Sequence, residues 1–251
     1  MRSVFYPRLV NGPFGDPALY VHLAHRGQAL LFDCGDLHAL TCRELLKLRA
    51  VFISHGHIDH LIGFDSLLRA FLYRDRHLQV YGPPGIIAQL TGRLAGYTWN
   101  LTAGFSFVLT VREWRSGRLA ETVFRARNGF IAEPQTERTC PDGLLYQTPF
   151  CRVRAASLEH GDICSLAFTL EEPLHIAIHR DALERNGFLP GPWLSRFKDL
   201  IMQQASRLRP VTVPLTTGGT RELALGELAE EIATVERGMK VCYVTDVSPT
   251  S

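Results

Sequence analysis

The stretch HGHIDH, residues 55–60, places three imidazoles and one carboxylate within six positions. Nitrogen and oxygen donors without a thiolate suit zinc, manganese or iron, whereas structural zinc sites favour several cysteines. The stretch follows the apolar run 50–53 and precedes apolar residues at helical spacing, so it lies on a predicted strand-to-helix turn. Because α/β proteins usually place their chemistry on such turns, the pattern predicts a catalytic metal site.

The regions around this turn show a regular alternation of strands and helices. Apolar runs predict strands at 18–24, 28–33 and 78–81, and helical spacing predicts helices at 38–49 and 85–95. Further along, residues 105–114, 119–127 and 150–158 have the character of longer strands with little helix between them. The alternation from 28 to 95 indicates an α/β fold.

The composition is that of a globular protein without a membrane span. The chain has 251 residues, of which 46% are hydrophobic and 21% charged, and a net charge of +2. No apolar stretch approaches the roughly 20 residues of a transmembrane helix, and the first residues lack the apolar core of a signal peptide. We therefore expect a cytoplasmic protein that does not associate with membranes. The small net charge does not by itself favour a nucleic-acid partner.

Two further residues could complete a metal site. His160 follows the strand-like residues 151–158, and Asp246 ends the strand-like residues 240–246. The ends of strands are common positions for metal ligands. On the sequence alone, however, His160 could equally be a polar loop residue, and Asp246 could be a turn former.

The pattern H-x-H-x-D-H after an apolar strand resembles the metallo-β-lactamase superfamily. The resemblance implies an α/β fold of the αββα sandwich type and two divalent metal ions, zinc before manganese or iron. It implies two sets of ligands, the first comprising His55, His57 and His160 and the second Asp59, His60 and Asp246. In the family the aspartate at the position of Asp246 bridges both metals. Asp59 would also accept the proton of the attacking water.

A segment between His160 and Asp246 resembles one branch of this superfamily. Residues 182–198 contain the pattern AL…G…PGP…L…K, which is similar to the protruding arm of ribonuclease Z. That family trims the 3′ end of precursor tRNA, and its arm grips the tRNA body. The resemblance implies a hydrolase that cleaves a phosphodiester bond with a metal-bound hydroxide. It also implies RNA, or a small phosphodiester, as the partner, and a helical arm at about 174–210 inserted into a single domain spanning 1–251. A homodimer is one arrangement that we consider.

Three departures from the family keep alternatives open. The arm has few basic residues near its corner, where Arg185, Arg196 and Lys198 are offset by Glu184 and Asp199. Residues 11–17, NGPFGDP, have no Lys or Arg where ribonuclease Z often carries a P-x-K-x-R-N loop. The sequence also ends five residues after Asp246, so we expect it to lack the C-terminal part of the fold, with the histidines that complete the second site and protonate the leaving group. One alternative is a hydrolase of the same fold acting on a small ester or cyclic nucleotide. The other is a non-catalytic RNA-binding relative with a degenerate site.

Overall fold

The computed structural model describes residues 4–248, which fall into two compact units. Unit 1 comprises the residues up to 146, residues 153–169 and the residues from 241 onward, and unit 2 comprises residues 147–152 and 170–240. Among the described residues no helix is long and apolar enough to cross a bilayer.

The strands and helices alternate as the sequence predicts in the first part of the chain. In chain order the strands are β1 (Phe5–Leu9), β2 (Leu19–Leu23), β3 (Gln28–Phe32), β4 (Leu48–Phe52), β5 (His77–Gly82), β6 (Val108–Arg115), β7 (Arg118–Arg125), β8 (Thr136–Thr139), β9 (Leu144–Gln147), β10 (Arg152–His160), β11 (Ile163–Glu171), β12 (His175–Ile178), β13 (Pro210–Pro214), β14 (Thr220–Ala224), β15 (Ala233–Glu236) and β16 (Lys240–Tyr243). The α-helices are α1 (Cys42–Leu45), α2 (Phe64–Phe71), α3 (Ile86–Ala95), α4 (Arg180–Arg185), α5 (Trp193–Met202) and α6 (Leu225–Ile232).

Unit 1 is built on an eight-stranded sheet with strands in the order β1 to β8. Its centre, β3 to β6, is parallel, and β1, β2, β7 and β8 join in antiparallel fashion. Parallel neighbours need crossover connections, and α1, α2 and α3 lie in the connections after β3, β4 and β5. Since β3 and β4 pair with Phe32 opposite Phe52, the segments that follow these two strands leave the sheet side by side.

Both faces of this large sheet are covered. One face carries a cluster of buried apolar residues that includes Phe64 and Leu67 of α2 and Leu90 of α3. On the other, Phe52 lies with its ring centroid 5.0 Å from that of Phe32 and 5.7 Å from that of Phe168 in β11. β11 belongs to a four-stranded sheet in the order β16-β11-β10-β9. The layers are therefore helices, sheet and sheet, which confirms the predicted α/β class.

The predicted helix at 38–49 is wrong at both ends. The Thr41 side chain accepts a hydrogen bond from the Glu44 backbone, and the Glu44 side chain accepts one from the Thr41 backbone, so this capping box starts α1 at Cys42. At the other end, Leu48 already pairs with β3 as the first residue of β4. Because the apolar residues of β4 continue those of the helix, the sequence alone hides the boundary.

Unit 2 has a core of its own, so the segment expected to be a helical arm is part of a larger folded unit. Phe188 and Phe197 are fully buried. The Leu189 backbone N–H donates to the Pro214 carbonyl in β13 at 2.8 Å. The residues of this core come from the expected arm and from the chain after it: Ile176, Ala182, Leu183, Phe188, Trp193, Phe197, Val211, Val213, Leu223, Leu225, Leu228 and Ile232. Deleting the two helices would therefore unfold unit 2, and a test of RNA binding needs surface substitutions instead.

Candidate metal centre

The turn that carries the histidines is fixed by backbone contacts to the loop after β3. The Cys34 N–H donates to the His60 carbonyl at 2.9 Å, and the Gly63 N–H donates to the Cys34 carbonyl at 2.9 Å. A Cβ atom on Gly63 would lie 2.1 Å from the Gly35 carbonyl oxygen, so a larger residue does not fit at this position. Residues Ile58–His60 form a 3₁₀ turn. The two loops therefore hold the imidazoles in place as one unit.

Three imidazoles converge at one point of this turn. The nitrogen atoms that His55, His57 and His160 can offer all lie within 4.8 Å of one another. His55 Nε2 is 3.0 Å from His57 Nδ1, and the ring centroid of His160 is 5.0 Å from that of His55. Zinc bonds to imidazole at about 2.0–2.1 Å, so two tetrahedral ligands lie about 3.3 Å apart. The spacing of the two nitrogens thus fits a shared metal ion.

A second group lies beside the first and shares His55 with it. The candidate ligand atoms of His55, His60 and Asp246 also lie within 4.8 Å of one another. Asp246 Oδ2 is 2.9 Å from His60 Nε2 and 3.6 Å from His55 Nε2. This carboxylate therefore faces both groups of ligands, as the resemblance implies for a bridging residue.

Asp59 is the predicted site residue that the structure leaves at the margin. Its Oδ2 is 3.5 Å from His60 Nε2, and its side chain is 47% exposed. It belongs to neither of the two groups whose ligand atoms lie within 4.8 Å. An exposed carboxylate next to the second group is accessible to both a metal ion and a water molecule.

A buried network behind the histidines was not identified from the sequence. The carboxylate of Asp33, which is fully buried, accepts hydrogen bonds from the Ser54 N–H at 2.6 Å and the Ser54 hydroxyl at 2.8 Å. His60 Nδ1 lies 2.8 Å from Asp33 Oδ2, and the Tyr243 hydroxyl donates to the same oxygen at 2.9 Å. A carboxylate that holds one ring nitrogen leaves the other nitrogen of the imidazole free to bind a metal. The sequence did contain an indication of this role, because Asp33 is a charged residue directly after an apolar strand.

The electrostatics of the site keep His55 neutral. Burial, assisted by the neighbouring His60, lowers the pKa of His55 to about 4. Burial, the largest single effect, favours the neutral form of His60. The hydrogen bond to Asp33 and the charges of Asp33, Asp59 and Asp246 together outweigh it and raise the pKa of that imidazole above its usual value. Burial acts against the charged form of Asp246 too, yet His60 holds the pKa of its carboxyl below the usual range. A neutral His55 offers the lone pair that a metal ion requires.

Comparison with known proteins agrees with this layered fold and its histidine turn. Residues 30–129 match the model of the beta-lactamase superfamily domain. The chain is 31% identical over 243 residues to ribonuclease Z of Deinococcus radiodurans, covering 95% of this chain and 70% of that protein. It is 26% identical to ribonuclease Z of Methanothermobacter thermautotrophicus, covering 89% of this chain and 59% of that protein.

The solved structures that resemble the chain include human tRNase Z, short form, at 20% identity and a TM-score of 0.39, covering 67% of this chain and 61% of that one. Unliganded yeast PDE1 matches at 12% identity and a TM-score of 0.44, covering 68% and 62%. The fold and the histidine turn define a hydrolase of the metallo-β-lactamase superfamily, in which a site of this kind binds divalent metal. The sequence match to the Deinococcus protein narrows the assignment, and the chain belongs to the ribonuclease Z family.

Proposed function

We propose that this chain is a metal-dependent endoribonuclease that hydrolyses a phosphodiester bond at the 3′ end of precursor tRNA. The observation that carries the proposal is the convergence of His55, His57 and His160 beside the pair formed by His60 and Asp246. A donor set of imidazoles and carboxylates without cysteine is typical of catalytic rather than structural sites. The resemblance to ribonuclease Z, the name that the curated relatives carry, supports precursor tRNA as the substrate.

The donor set fits two divalent ions, and zinc is the metal we propose. His55, His57 and His160 would hold the first ion, and Asp59, His60 and Asp246 would hold the second, with Asp246 facing both. Two bound ions supply an activated water and neutralise charge on the phosphate oxygens. Asp33 and Ser54 orient His60 and His55 through the hydrogen bonds to their Nδ1 atoms. Asp59, at the exposed side of the site, would accept the proton of the attacking water.

Unit 2 would bind the body of the RNA. It contains the segment that resembles the ribonuclease Z arm, and Arg196, Arg209 and Arg221 are exposed on it. Arginine suits phosphate because its guanidinium donates two parallel hydrogen bonds. We also propose a cytoplasmic location for this activity, and a homodimer is compatible with it.

Charge reversal on unit 2 should therefore weaken the processing of precursor tRNA. We expect Arg196→Glu combined with Arg209→Glu to slow zinc-dependent cleavage of a precursor tRNA at least tenfold. Hydrolysis of bis(p-nitrophenyl) phosphate should change much less. Each lost phosphate contact should also lower the slope of log affinity against log salt by about 1. Cleavage is followed on gels, and binding by fluorescence anisotropy at several salt concentrations.

Arg74→Glu is the matched control, because Arg74 is an exposed arginine in unit 1. This variant should process precursor tRNA like the wild type. An equal loss in the control and the double variant would show a general effect of charge and remove the role of unit 2. If the wild type hydrolyses the small ester but does not cleave tRNA, the alternative of a small-molecule substrate is favoured. The absence of Lys and Arg at 11–17 supports that alternative.

A further inference from the structure

The hairpin loop between β1 and β2 lies against the turn that carries the metal-site residues. The Gly35 N–H donates to the Pro17 carbonyl at 3.0 Å. A Cβ atom on Gly35 would meet the Asp16 Cβ at 2.6 Å and the Asp59 carbonyl oxygen at 2.6 Å. Asp16 of the loop and Asp59 of the candidate site therefore approach the same side of Gly35. The loop, residues 11–17, forms part of the rim of the site.

The loop is held in one conformation by its own hydrogen bonds. The Asn11 side-chain amide donates to the Asp16 carbonyl and to the Asp36 carbonyl, each at 2.8 Å. Gly12 has a φ of 72°, which favours glycine. A Cβ atom on Gly15 would lie 2.7 Å from the Asn11 carbonyl oxygen, so the loop closes tightly on itself. A side chain at its tip is thus presented on a fixed support.

The tip carries Phe14, whose exposed fraction is 99%. Two residues of chain span at most about 7 Å, so Phe14 stays close to Asp16 and to the rim. An aromatic side chain left wholly in water contributes no burial energy to the fold. A rigid loop that holds such a ring beside a hydrolytic site offers the ring as a contact for a ligand.

The charges around the loop decide what that ligand is. The loop has no Lys or Arg, and Asp16, Asp36 and Asp59 lie on or beside it. These carboxylates disfavour a phosphate group at the loop. A nucleobase has no charge, and the flat face of any of the four bases can stack on an aromatic ring. The loop is therefore suited to an unpaired base.

We propose that Phe14 stacks on an unpaired base of the RNA next to the scissile phosphate and so positions the strand in the site. This inference rests on the proposed function, because it assigns the ring to the RNA that the site would cleave. A paired base has both faces covered by its neighbours in the helix, so stacking on Phe14 selects single-stranded nucleotides. The identity of the base should matter little.

The test combines Phe14→Ala with RNAs that lack single bases. A tRNA with an unpaired 3′ extension is prepared intact and with one abasic site at each position near the cleavage point. On the intact RNA, Phe14→Ala should weaken binding by roughly 5- to 100-fold, the range for loss of one stacked base. On the RNA that is abasic at the stacking position, the wild type and the variant should bind equally. Binding is measured by fluorescence anisotropy, which needs no turnover.

Three further variants separate base stacking from the effect of side-chain size and from non-specific binding to exposed aromatic residues. Phe14→Trp should keep the affinity and show quenching of tryptophan fluorescence when RNA binds, measured against the wild type. Phe14→Leu has an apolar side chain without a ring and should behave like Phe14→Ala. Tyr73→Ala is the control, because Tyr73 is 59% exposed and follows α2 at the end remote from the histidine turn. This control should bind intact RNA like the wild type.

Failure of this inference can be distinguished from failure of the proposed function. If Phe14→Ala or Phe14→Leu binds intact RNA as the wild type does, Phe14 does not stack on a base. The same conclusion follows if the loss is identical on every abasic RNA. If the wild type hydrolyses bis(p-nitrophenyl) phosphate but binds no RNA, the inference about Phe14 is overturned. The protein would then be a phosphodiesterase that does not act on RNA. Wild-type protein that neither hydrolyses the ester nor cuts RNA overturns the proposed function.

Discussion

Asp59→Ala should lower the hydrolysis of bis(p-nitrophenyl) phosphate by about 10²- to 10⁴-fold, the contribution typical of a general base. The carboxylate of Asp59 is 47% exposed and lies 3.5 Å from His60 Nε2, where it can reach both a metal ion and a water molecule. The fold should remain intact, since this half-exposed side chain contributes little to the core. The measurement is the initial rate with added zinc or manganese, together with a thermal unfolding curve of each protein.

Asp75→Ala is the matched control for this substitution. Asp75 is an exposed aspartate beyond α2. Its substitution by alanine removes the same charge as Asp59→Ala but lies outside the candidate site. It should retain the wild-type rate. Turnover of Asp59→Ala within twofold of the wild type would exclude a role of Asp59 as proton acceptor.

Asp33→Ala should destabilise the protein by about 3–5 kcal/mol, because it removes a buried acceptor that serves several donors. The Ser54 N–H and hydroxyl, the Tyr243 hydroxyl and His60 Nδ1 would all lose this acceptor. Loss of a residue that orients a ligand also lowers metal affinity, typically by 10- to 100-fold. The free energy of unfolding is measured in urea, and the affinity by zinc titration.

The Asp33 substitution needs two comparisons because of its backbone. Asp33 has a φ of 56°, a conformation that asparagine tolerates and alanine does not favour. Asp33→Asn therefore separates the loss of the charge from the strain of the backbone, and we expect it to be intermediate. Asp36→Ala, at a half-exposed aspartate nearby, should cost less than about 1 kcal/mol. A loss for Asp33→Ala of no more than that would contradict the importance of the buried network.

The parts of this structure that depend on local sequence could be predicted. The histidine turn follows a short apolar strand, and helical spacing begins directly after it, so β4, the turn and α2 were identified together. His160 and Asp246 were found because each lies at or just beyond the end of a strand. Their approach to the turn depends on the pairing of strands far apart in the chain, and only the resemblance to a family suggested it.

The parts that were missed depend on contacts between distant segments. Asp33 faces Ser54 because β3 and β4 are parallel neighbours, and it faces Tyr243 because β16 lies in the second sheet. Periodicity carries no information about these pairings. The core of unit 2 was missed for the same reason, since Val211 and Leu228 pack with residues of the expected arm. The apolar residues of that segment needed other residues to pack against, and the sequence alone did not indicate which ones.

Zinc content tests the central claim of a binuclear site most directly. We expect the purified wild type, loaded with zinc and then dialysed, to contain two zinc ions per chain. The zinc content is measured by inductively coupled plasma mass spectrometry. His160→Ala should lose one, because His160 converges with His55 and His57 on one point. His38→Ala should keep both, since that exposed imidazole pairs with Asp36 instead. Wild-type protein without bound zinc, or equal zinc in the wild type and His160→Ala, would contradict the account.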